Sequence, residues 1–351
     1  MDRRTATATL ASCLLLLAAG PVTAPASGQT HGNTPDPTAR QRVITVNSSP
    51  IPFFDPRDTG RRHFGRLAFR GGLVLSADDK AFGGISSIRL EPDGERFLAV
   101  TDRGQWVRGR ILYRGGVPAG IAEAEMAPIR GPDGRPITAR RWYDSESLAT
   151  DGTTAWVGLE RVHQILKFDM RTEGLAAPGM PIAVPPEVKK LPANRGLEGM
   201  IAAPPDTPLA GTLIAFSERG LDEAGHIRGF LIGGATPGLF GVVRHDEFDI
   251  TDAAMTPAGD VFVLERSFSL LRGPGMRLRM IARDAIAPGA VVDGTMLFEA
   301  DFRYQIDNME GLAVHVAPSG ETILTIVSDD NFSILQRTLL MQFAVIDPCA
   351  A

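Results

Sequence analysis

The sequence predicts an all-β fold, and three observations carry that reading. A unit of two apolar runs joined by a Gly-bearing turn recurs five times, from Gly83 to Phe332. Almost no segment keeps the 3.6-residue apolar period of an amphipathic helix. Glycine and proline (38 and 26 of 351 residues) are frequent while aromatics make up 7%, as in a chain of many turns. Paired strands recurring every 52 to 60 residues are the mark of sheets set as blades about an axis.

The units read in order as hairpins. Unit one is Gly83–Leu90, a turn at Glu91–Gly94, then Phe97–Gly104. Unit two is Asp144–Ala149, a turn at Asp151–Gly152, then Ala155–Arg161. Unit three is Gly196–Ile201, a Pro-rich loop, then Thr212–Gly220. Unit four is Ile250–Met255, a turn at Pro257–Gly259, then Val261–Arg266. Unit five is Asn308–His315, a turn at Pro318–Gly320, then Thr325–Phe332. Runs such as Gln164–Asp169 and Leu278–Ala282 supply third strands. The strand-like stretches 63–76 and 338–346 lie outside these units. Pairing them as a shared sixth blade would close the ring and protect both edges, which predicts a six-bladed β-propeller. A β-sandwich with a long insert accounts less well for five repeats.

The ends read as address and tether. Arg3 and Arg4, the apolar Leu10–Gly20 and the small residues Ala24–Ala26 form a signal segment cleaved after Ala26, so the chain is expected to be exported to the periplasm or beyond. Residues 27–61 read as a flexible leader and entry segment, 62–346 as the domain, and 347–351 as a tail with Cys349 free. No later apolar run reaches the ~20 residues that span a bilayer. A net charge of −5 without a basic block argues against nucleic acid. The mature chain is expected to be a soluble monomer.

The acids repeat with the units. Aligning the hairpins sets Ser86, Glu146, Glu198, Asp252 and Glu310 at one position, and Asp102, Glu160, Glu218, Glu265 and Asp329 at another. Arg103, Arg161, Arg219 and Arg266 follow the second acid in the first four units; Asp330 and Asn331 follow it in the fifth. Radial blades turn such positions into rings. Crowded carboxylates and amide oxygens suit Ca²⁺, which takes six to eight oxygen ligands. The arginines suit an anionic substrate, or equally inter-blade salt bridges repeated because the blade is repeated. His163 and His315 read as packed, and Met200, Met255 and Met309 as core fillers. There is no Gly-x-Ser-x-Gly, Walker A loop, His-Glu-x-x-His or dinucleotide fingerprint.

At Phe82-Gly-Gly-Ile-Ser-Ser87, Val100-Thr-Asp-Arg-Gly-Gln-Trp106, Gly196-Leu-Glu-Gly-Met200 and Asn308-Met-Glu-Gly-Leu-Ala313 the chain resembles the phytase-like β-propeller family. The most specific match is Val327-Ser-Asp-Asp-Asn-Phe332, continuing to Gln336, Thr338 and Phe343. The resemblance implies an exported propeller that acts on a small anionic or ester substrate by calcium-dependent ester hydrolysis, in which Glu198, Glu310 and Asp329 are catalytic ligands and Arg103, Arg161 and Arg219 clamp phosphate. It does not extend to a densely cationic site. Lysine occurs only at Lys80, Lys167, Lys189 and Lys190, none beside a repeated acid. The alternative is a non-catalytic binding propeller with structural calcium.

Overall fold

The computed structural model describes residues 40–346 except Asn194 and 270–272. The expected signal segment, most of the leader and Cys349 lie outside the described residues. Five sheets follow one another along the chain, antiparallel except for the short parallel edge strand Val291–Val292 of the third. Their innermost strands are Ile85–Leu90, Ser145–Thr150, Leu197–Ala202, Asp249–Met255 and Asn308–Val316, and each touches the innermost strand of both neighbours. That closes a five-bladed ring, blades I to V.

The expected sixth blade does not form. Thr338–Val345 pairs with Thr322–Asp329 on one side and with Leu67–Ala77 on the other, so the stretches set aside for it are the third and fourth strands of blade V. The reason is one of supply. Blades I to IV draw their third and fourth strands from their own following sequence, such as Gln105–Arg114 and Val117–Pro128 in blade I. Blade V borrows its fourth from the N-terminal side. The entry segment is also more than a tether. Val46–Ile51 adds a strand to blade V, and Arg42–Val43 one to blade I, each shielding a sheet edge.

The expected hairpin turns form for a local reason. Gly94, Gly152, Gly259 and Gly320 take φ of 72°, 90°, 100° and 87°, which a side chain resists. Among the described residues, helix is confined to one four-residue α-helix, Met170–Glu173, and short 3₁₀ turns.

Apolar residues pack between blades in five large clusters, one per interface. Met200 and Met309 belong to them, fully buried as expected. At the IV–V interface Phe54, from the entry segment, meets Phe64 and Phe343 edge-on at 5.0 Å and stacks on Tyr304 at 5.2 Å.

The candidate carboxylate ring and its cleft

One irregularity repeated five times builds the site. Each innermost strand carries a bulge against its neighbour, between Ile85 and Ser87, Ser145 and Ser147, Leu197 and Gly199, Ile250 and Asp252, and Met309 and Gly311. A bulge re-aims the extra side chain out of the ladder. The extra residues are Ser86, Glu146, Glu198, Thr251 and Glu310. Glycine follows the bulge in blades III and V because the neighbouring strand passes close. A Cβ on Gly311 would lie 2.6 Å from Val327 and 3.2 Å from the Ile88 nitrogen.

The same registers place Asp102, Glu160, Glu218, Arg266 and Asp329 at the second position, one past Thr101, Leu159, Ser217, Glu265 and Ser328, which pair with the residue before each bulge. Blade IV therefore corrects the sequence alignment by one residue: Thr251 and Arg266 stand where Asp252 and Glu265 were expected. The signal was present. Counting from the turn glycines Gly211 and Gly259 puts Glu218 and Arg266 at the same step.

Asp252 and Glu265 are consequently committed elsewhere. Asp252, fully buried, accepts from Arg89 at 2.8 and 2.9 Å, from Ser87 Oγ at 2.8 Å and from the Leu312 amide at 2.9 Å. Burial raises its carboxyl, and Arg89 works against that rise. Glu265 is buried in a two-pronged pair with Arg279 inside blade IV. Neither is free to ligate a metal. Asp330 organises a loop instead, accepting from the Gly84 and Phe332 amides and from Thr338 Oγ1.

The remaining acids converge. Glu160, Glu198 and Glu218 are all buried, and each presents an oxygen within 4.8 Å of the others. The Gly196 amide fixes Glu160 at 2.8 Å. Burial first, then Glu146 and Glu310, pushes Glu198 well above the usual carboxylate range. Glu146 is raised likewise by burial, Glu310 and Glu160. Burial also raises Glu160, Glu218 and Asp329. Glu310 accepts from Arg266 at 2.6 Å and from Asn308 at 2.9 Å, yet burial still pushes it up to about 8. Asp102 is raised to about 7 by burial and by Asp329, and its Oδ1 is buried with no hydrogen-bond partner.

The arginines divide. Arg161 pairs with Asp144 at 2.7 Å within blade II, and Arg219 pairs with Asp249 across to blade IV. Only Arg219–Asp249 fits the inter-blade salt-bridge reading; Arg161–Asp144 is a pair inside one blade. Arg103 lies over the Phe332 ring, 3.2 Å from its centroid. Arg266 alone of the four enters the ring, shared among Glu310, Glu218 and Asn308. Beside it opens a cleft of about 620 Å³ whose lining includes Arg195, Arg219, Arg266, Asn331 and Phe268. Arg195 and Phe268 lie outside the repeated motifs, so periodicity could not point to them. His163 and His315 each keep a buried Nδ1 without a hydrogen-bond partner. Neither offers a ligand atom to the three-glutamate cluster, although the His163 amide donates to the Glu160 carbonyl at 3.1 Å.

An oxygen-only donor set, a buried unpaired carboxylate oxygen and mutual repulsion fit a hard divalent cation. No helix among the described residues is long and apolar enough to cross a membrane.

Comparison with known proteins adds the family. A search of curated proteins finds no match. Solved structures similar to the chain include a glutaminyl cyclase of Myxococcus xanthus, at 10% identity, TM-score 0.37, and 87% and 98% coverage of this chain and that one. Another is the PQQ-bound aldose sugar dehydrogenase of Streptomyces coelicolor, at 11% identity, TM-score 0.36, and 78% and 97% coverage. At those scores the likenesses carry no functional argument. The family model described as phytase-like, "Esterase-like activity of phytase", matches residues 80–332. That span takes in all five inner hairpins together with the carboxylates they carry, and the chain belongs to the phytase-like family.

Proposed function

We propose that the carboxylate ring and its cleft form a calcium-dependent ester hydrolase site in an exported protein. The observation that carries the reading is the convergence of Glu160, Glu198 and Glu218 with their oxygens within 4.8 Å. Three buried acids so close are stable together only when protonated or neutralised. Glu160, Glu198 and Glu218 would hold the cation, with Glu146, Asp102 and Asp329 as the further acids of the ring. A bound calcium supplies Lewis-acid polarisation and water activation. Arg266 orients the anionic part of the ester by charge-assisted hydrogen bonds. Glu310, held by Arg266 and Asn308, is the carboxylate positioned to accept a proton from the attacking water, at the oxygen those donors leave open.

A second reading is a binding propeller in which the cation is structural. The pairs Asp252–Arg89 and Glu265–Arg279 favour it, since acids of this fold do serve stability. A calcium titration of the EDTA-stripped protein separates the two. Thermal stability and hydrolysis of p-nitrophenyl phosphate and acetate are followed together, with Glu198→Gln as control. Hydrolase action predicts turnover that returns with calcium and is lost in Glu198→Gln. A rise in stability without turnover would favour the binding propeller, and no response at all would sink the calcium assignment.

A further inference from the structure

We propose that the cleft takes an amphiphilic ester, with one anionic group at the arginine end and an apolar arm laid against Phe268 and Leu335. This rests on the hydrolase reading and adds the substrate class.

Charge sets the first limit. Three arginines line the cleft, at 195, 219 and 266, against four carboxylates, Glu218, Glu247, Asp249 and Asp307. Arg219 is engaged by Asp249, and Arg266 is shared with Glu310 and Glu218. So little positive charge is left over that one anionic group is complemented and a polyanion is not.

Apolar surface sets the second. Phe268 is 72% exposed and Leu335 88% exposed, and both face this one cleft, where Pro274 and Ile306 continue the wall. Apolar side chains gathered beside a few convergent polar groups are the make-up of a ligand site. Their presentation is imposed by the backbone. Phe268 is fixed opposite Pro274 in the blade IV ladder. Leu335 sits on the 330–337 loop, where Asn331 and Phe332 hold left-handed φ of 47° and 49°. Non-glycine residues resist that conformation, and it persists because Asp330 ties Gly84, Phe332 and Thr338 while Arg103 covers the Phe332 ring.

The test compares 1-naphthyl phosphate with methyl phosphate on the calcium-loaded protein, by calorimetric binding and by turnover. The expected result is a preference of about tenfold or more for the naphthyl ester, on the scale of apolar pocket discrimination. It should fall towards one in the Phe268→Ser/Leu335→Ser double variant, whose exposed positions spare the core; thermal unfolding checks the fold. Equal binding of the two esters, binding of neither, or a preference that survives the double variant would overturn the proposal. A binding preference without turnover would overturn the hydrolase reading and leave the ligand class standing. Turnover without preference would do the reverse.

Discussion

Arg89 shows how much one side chain can close in this fold. Its guanidinium donates to the carbonyls of Ile88, Met200, Ala253 and Leu312, which belong to the inner strands of four different blades, and pairs with the buried Asp252. It therefore crosses the axis at the level of the inner strands and ties the blades together. Arg89→Met leaves the Asp252 charge uncompensated in the interior, and breaking such a pair costs about 3–5 kcal/mol. Urea unfolding of the metal-free protein should show that loss, with much of it recovered in Arg89→Met/Asp252→Leu. A single variant as stable as the parent would remove Arg89 from this role.

The ring acids make a second prediction at the same scale. Asp102 and Glu310 titrate at about 7 and about 8 in the folded chain, above the carboxylate values of roughly 4 in an unfolded one. A raised carboxyl binds more protons folded than unfolded. Its contribution is complete below the unfolded value and is lost as pH rises through the folded one. In EDTA the protein should accordingly melt at a lower temperature at pH 8 than at pH 5, and calcium should reverse that order. A metal-free protein that grows more stable over this interval would show the acids to be neutralised within the chain.

At the scale of the element, the bulge is what converts a strand into a site. It turns Glu146, Glu198 and Glu310 out of the ladder while the residues on either side stay buried and paired with the next strand. Gly311 lets the inner strand of blade V pass its neighbours closely. Gly311→Ala would drive a methyl into Val327 and towards the Ile88 backbone. Overpacking of this kind costs about 1–3 kcal/mol. Because the strain falls beside Glu310, weaker calcium binding should accompany the lower stability. A variant that loses stability yet binds calcium as before would separate the bulge from the site.

Over the whole molecule, the ring depends on a segment that composition marks as a tether. Phe54 fills the IV–V interface among Phe64, Phe343 and Tyr304, and Val46–Ile51 covers the outer edge of blade V. Phe54→Ala should destabilise by about 3–5 kcal/mol, in line with removal of a buried aromatic ring. A chain begun at residue 62 loses both features and should express poorly or aggregate, while one begun at residue 40 keeps them. Thermal unfolding of the two side by side decides it. If they melt alike, the entry segment is dispensable.

Much of this was legible in the sequence because it is local and repeated. Hairpin turns show in Asp-Gly and Pro-x-Gly pairs, strands in apolar runs, and the acid positions in their recurrence from Ser86 to Glu310 and from Asp102 to Asp329. The resemblance to the phytase-like family rested on those same motifs. What escaped depends on pairing between distant segments. Blade number turned on whether 67–77 joined 338–345 within blade V or beside it, a choice made by hydrogen bonds between strands about 270 residues apart. The ring membership of Thr251 and Arg266, and the exclusion of Asp252 and Glu265, turned on a one-residue bulge, and a single step in register sends a side chain to the other face. Sequence alone determined the all-β architecture, its five repeats and the residue types of the site. Tertiary structure decided how many blades close the ring, which acids meet, and which arginine stands among them, because closure and register are set by long-range packing that no local pattern encodes.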